Sequence, residues 1–109
     1  MKNQELNKLI TEIKGITSGI LEKDVTTVRG FAANQLEAIG RQTILLQKGV
    51  ATGEIPDNLI EFFFDGLEKM TLNFLNTLKG LLLVTIEKVW NAINDFLWGI
   101  INSITGFSI

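Results

Sequence analysis

Apolar residues recur at helical spacing along almost the whole chain. Before position 51, Leu6, Ile10, Ile13, Ile20, Leu21, Val28, Phe31, Ala32, Leu36, Ile39, Leu46 and Val50 hold one helical phase within half the wheel. That steadiness predicts one continuous helix of about 45 residues, roughly 65–70 Å long. Lys23 and Asp24 mark the place for a kink, because Asp24 can cap a fresh helical start at Val25. A reversal of direction there calls for a longer connection, so a bent helix is expected.

The convincing break is Ala51-Thr52-Gly53-Glu54-Ile55-Pro56-Asp57, where a glycine stop precedes the sole proline. After it, Leu59, Ile60, Phe63, Phe64, Leu67, Met70, Phe74, Leu78 and Leu81 mark one apolar face. Past Gly80 that face turns by roughly a quarter circle, and Ile86, Val89, Trp90, Ile93, Leu97, Ile100, Ile101 and Ile104 take it over. With no loop residues around the lone Gly80, a through-running second helix is expected. The predicted fold is all-α: a long antiparallel helical hairpin, residues 5–51 and 57–103, assembling into a multi-helix bundle with copies of itself or a partner. It forms a single domain over residues 1–109, with a turn at 52–56 and a frayed tail at 104–109.

Two helices leave too much apolar surface uncovered. From Leu82 to Ile104 the apolar arc spans about 140°, wider than the stripe of an ordinary surface helix. Each large apolar side chain left in water forfeits about 1.5–3 kcal/mol. A second burial surface is therefore expected over Ile86, Trp90, Ile93, Leu97, Trp98, Ile100, Ile101 and Ile104, formed by another subunit, another protein or lipid. The opposite face of this segment carries its asparagines. Gly15, Gly19, Gly30 and Gly40 lie on roughly one side of the first helix. Helix-interior glycine costs about 0.8–1 kcal/mol relative to alanine, and close helix packing in an assembly is the expected compensation. Thr17, Gln35 and Gln42 fall on the apolar arc, where buried polar groups need partners and can set register.

Composition narrows the chemistry. The 109 residues contain no His, Cys or Tyr, which removes imidazole acid–base work, thiol nucleophiles, disulfides and thiolate or imidazole metal sites. No serine or threonine has an evident base, so no catalytic residue, cofactor or small-molecule substrate is expected. Asp57, Glu61, Asp65 and Glu68 form an acidic stripe, read as a solvated face favoured by the helix dipole rather than a metal site. Net charge is −2, from 10 basic and 12 acidic residues, which gives no footprint for nucleic acid. Residues 1–53 are net +2 and residues 54–109 net −4, a weak bias toward pairing of the halves.

The start has no signal-peptide pattern, and the longest charge-free run in the C-terminal third, 14 residues from Phe96, is short of the roughly 20 that span a membrane. A cytoplasmic protein, in solution or peripheral to a membrane, is expected. The functional expectation is a non-enzymatic structural or scaffolding subunit that self-assembles or binds a helical partner through residues 82–104. The alternative is an amphipathic, membrane-associating or pore-forming protein that uses its Trp-rich C-terminal helix.

Overall fold

The computed structural model describes residues 2–105, with side chains from Gln4 to Asn102. The chain forms α1 (Lys2–Leu21), α2 (Ala33–Ala51), α3 (Asp57–Thr77) and α4 (Leu83–Thr105), with a 3-10 turn at Val25–Thr27. Consecutive helices run antiparallel around one core. Each sequence neighbour packs on the next, α1 closes the ring on α4, and α2 also packs on α4 across one diagonal. No comparable packing joins α1 to α3, so the bundle is flattened, 41 × 30 × 19 Å.

The all-α class and the bundle are as the apolar pattern predicts, but each long helix is divided in two and the bundle is completed within one chain. The first division is made by capping. Glu22 takes a left-handed conformation (φ 60°), and the Lys23 amide reaches back 3.3 Å to the Ser18 carbonyl. That pair of features ends α1 in a Schellman-type stop. Asp24 then caps as its residue type predicts, accepting from the Thr26 amide at 3.0 Å and the Thr26 hydroxyl at 2.8 Å. Those bonds hold its carboxyl below the usual carboxylate range. What it caps is a short 3-10 turn, whose Val25 plugs the end of the core and is fully buried. Residues 22–32 thus supply the longer connection that a reversal needs.

The second division lies at residues 78–82, where Leu78 is extended and Gly80 has φ +82°. Leu78, Leu81 and Leu82 continue the apolar pattern on either side of Lys79 and Gly80, so the periodicity runs through this loop without a break. The two unexpected turns meet at one end of the bundle. The Lys79 amide donates to the Arg29 carbonyl at 2.8 Å, and the Thr77 hydroxyl lies 3.3 Å from Gln35 Oε1. Gly30 (φ +88°) sits so close to the Thr77 carbonyl that a Cβ would overlap it. The turn at the other end, residues 52–56, is closed by Gly53 (φ +82°) and by Ile55, which covers Gly49. α4 continues to Thr105; the rest of the expected frayed tail lies outside the described residues.

The core is formed by Ile13 from α1, Leu36, Ile39 and Leu46 from α2, Ile60, Leu67, Phe74 and Leu75 from α3, and Val89, Ile93, Leu97 and Ile101 from α4. Thr17, Thr43 and Thr71 are also buried, each donating its hydroxyl to the carbonyl four residues back at 2.8–3.0 Å. Thr17 is therefore satisfied inside α1 and sets no register between helices.

Glycine substitutions test this architecture. Gly30→Ala combines a left-handed backbone with a main-chain overlap, and is expected to destabilise by about 3 kcal/mol or more in urea unfolding. A Cβ at Gly15 meets nothing within 4 Å. Gly15→Ala should accordingly stabilise by roughly 0.5–1 kcal/mol. Equal effects at the two positions would contradict the placement of the α1–α2 connection.

Candidate functional site

The face expected to meet a second subunit is largely spent inside the chain. Ile93, Leu97 and Ile101 are fully buried together with Val89, and Ile86, Trp90, Trp98 and Ile100 are partly buried against the same core. The side chain of Ile104 lies outside the described residues. The physical reason is the extra pair of turns: α4 has three helical neighbours instead of one, and three neighbours cover a wide arc. What stays in solvent is its first turn. Leu82, Leu83 and Val84 are 71%, 72% and 65% exposed, adjoining the Lys79 and Gly80 turn. A second apolar patch lies on α3, where Phe62 is 68% exposed and stacks edge-to-face on Phe63 beside Leu59.

The glycines separate in the same way. Gly40 is buried with Leu6 against it, 2.7 Å from where a Cβ would stand, and Gly30 abuts Thr77. Gly15 and Gly19 face open space. Gly49 is a close-packing position that the periodicity did not mark, because its cover, Ile55, comes from the turn rather than from a helix.

Polar chemistry concentrates in a groove between α3 and α4. A cavity of about 360 Å³ is lined by Glu61, Asp65 and Glu68 from one wall and Asn94 and Asp95 from the other, with Phe64 and Trp98 as its aromatic surfaces. The two rings meet at 4.8 Å in an edge-on contact. A smaller cavity of about 190 Å³ continues past Asp65 and Glu68 to Lys69, Leu72 and Trp90. Trp90 ties the walls together, its indole N–H donating to the Glu68 carbonyl at 2.9 Å.

Asp57, Glu61 and Asp65 of the acidic stripe are exposed, as expected of a solvated face, and Glu61, Asp65 and Glu68 also border the groove. Glu68 is half-buried there, and desolvation, the charge of Asp65 and a hydrogen bond between the two carboxyls raise its pKa above the ordinary glutamate value. Among the described residues no three acidic side chains converge closely enough to hold a metal ion. Asn94, expected on the polar face of α4, is instead only 6% exposed, and neither Oδ1 nor Nδ2 has a hydrogen-bond partner. Periodicity could not find it, because its burial comes from the docking of α3. A second cavity, about 320 Å³ between α1, α2 and α4, has mixed charge, with Lys8 beside Glu5 and Glu12.

No protein-family model matches the chain, and neither a curated protein nor a solved structure shows significant similarity to it.

Two substitutions probe the energetics of the groove. A carboxyl that is harder to ionise in the folded chain binds its proton more tightly there than in the unfolded chain. Its contribution to stability therefore falls as pH rises from the ordinary glutamate range through the raised value. Glu68→Gln should raise the melting temperature at neutral pH and reduce this decline, as read in thermal melts across pH 4–8. Asn94→Leu removes an unpaired buried amide at similar volume, and a gain of about 1–2 kcal/mol is expected in urea unfolding.

Proposed function

We propose that the protein is a non-enzymatic structural subunit whose bundle associates with further copies of itself through the apolar side chains it leaves in solvent. The observation that carries this reading is the run of Leu82, Leu83 and Val84 at the α3–α4 turn, each about two-thirds exposed or more. Large aliphatic side chains held in water forfeit about 1.5–3 kcal/mol apiece, which a mating surface recovers. The patch of Leu59, Phe62 and Phe63 lies near the other end of α3, about 22 Å away along the helix. Two separate patches on one subunit suit head-to-tail contacts as well as symmetric ones. A net charge of only −2 opposes such association weakly.

A second reading follows from the shape of the tip. Three consecutive aliphatics around a turn point in several directions, which suits a deformable surface better than a rigid helix face. Lys79 adjoins them, and Arg29 is held at the same end by the hydrogen bond between its carbonyl and the Lys79 amide. Aliphatic tips flanked by cations suit an anionic lipid surface. No helix among the described residues is long and apolar enough to cross a membrane, and the contact proposed is with the surface of the bilayer.

Light scattering coupled to size exclusion, with and without anionic vesicles, distinguishes the two. A discrete multimer that becomes monomeric in the Leu82→Ser, Leu83→Ser, Val84→Ser variant is the expected result, with helicity retained because all three side chains are exposed. A monomer throughout the micromolar range removes the self-association reading. If that monomer moves onto vesicles and the triple variant does not, the lipid reading takes its place.

A further inference from the structure

We propose that the groove between α3 and α4 binds the guanidinium group of an arginine-bearing peptide segment. The anchor is Asn94. Its carboxamide is buried in the wall of the groove with both donor and acceptor unpaired, an arrangement folded proteins avoid unless something fills it. A carboxamide that lacks both kinds of partner is matched by a group offering both, and a peptide unit does so.

The charge of the occupant follows from the walls. Four carboxylates, those of Glu61, Asp65, Glu68 and Asp95, line the larger cavity, and no basic side chain does. Glu61, Asp65 and Glu68 sit at i, i+4 and i+7 along one flank of α3, a row of roughly 10 Å. A cation placed against them relieves the cost that burial and Asp65 impose on ionised Glu68. Lys69, in the smaller cavity beyond, ends the anionic stretch.

The kind of cation follows from the remaining lining. A chelated metal needs three converging ligands, and no such group occurs among the described residues. Phe64 and Trp98 supply aromatic surface. A planar, weakly hydrated guanidinium stacks on aromatic rings and pairs with carboxylates through parallel N–H bonds, whereas an ammonium stays more strongly hydrated. The 360 Å³ of the cavity falls in the range of small-ligand sites, which start at about 300 Å³.

The test is a titration of the full-length ¹⁵N-labelled protein with the peptide acetyl-Gly-Arg-Gly-amide, read at the Asn94 side-chain amide and the Trp98 indole. Its citrulline counterpart, equal in shape and uncharged, and spermidine, a cation without the guanidinium plane, are run in parallel. Expected are saturable shifts of both signals with the arginine peptide at physiological salt, and much smaller ones with the other two probes. Asp65→Asn combined with Glu68→Gln should weaken binding roughly tenfold or more. Asn94→Leu should lose binding while its helicity is kept and its melting temperature rises, a combination that simple unfolding cannot produce.

Equal shifts from citrulline or spermidine would overturn the assignment to arginine. No saturable shift at all would mean that water satisfies Asn94, and the proposal falls. Unchanged affinity in the double variant would also defeat it. None of these outcomes depends on the oligomeric state that tests the preceding reading.

Discussion

The seam of Val89, Ile93, Leu97 and Ile101 must be dry, and one neighbouring helix cannot make it so. Four branched side chains at every fourth position, with Trp90, Phe96 and Ile100 flanking them, spread apolar surface over more of α4 than a single partner covers. The chain answers by turning back three times. α1, α2 and α3 each take part of the arc, and the α2–α4 diagonal is the contact that presses the bundle flat. Both unexpected turns are consequences of this requirement, and so is the exclusion of α3 from a third neighbour. One side of α3 is left free to carry Phe62 and Leu59 in water.

The bundle contrasts two ways of burying polar groups. Thr17, Thr43 and Thr71 disappear into the core at little cost, because each hydroxyl bonds a carbonyl of its own helix. A carboxamide is too long for that local solution and has two kinds of atom to satisfy. Asn94 therefore stands apart from the threonines, and it does so beside a cavity wall where carboxylates gather without a basic residue. Stability alone would favour an aliphatic residue at this position.

Much of the helical content was legible in the sequence, because periodicity reports which residues share a face. Asp24 as a cap, the turn at Gly53 and Pro56, and the breadth of the α4 arc were all readable in that way. Reversals proved harder to see. Glu22 in a left-handed conformation carries no mark in its residue type, and the loop at 78–82 is written in leucines that continue the apolar pattern. Without those reversals, the apolar pattern assigns α4 a partner outside the chain. The groove suffered the same way: the acidic spacing on α3 was visible, but its opposite wall depends on how two helices dock. Spacing along one helix says nothing about what faces it across a gap.

One of the links between the two unexpected turns is made by main chain alone. Arg29 contributes a carbonyl and Lys79 an amide, so neither side chain takes part in that bond. This bond thus tolerates wide drift at positions 29 and 79, provided position 79 is not proline and position 30 stays glycine. Surface residues at that end of the bundle, including the aliphatic tip beside it, are free to diverge without loosening the frame that presents them.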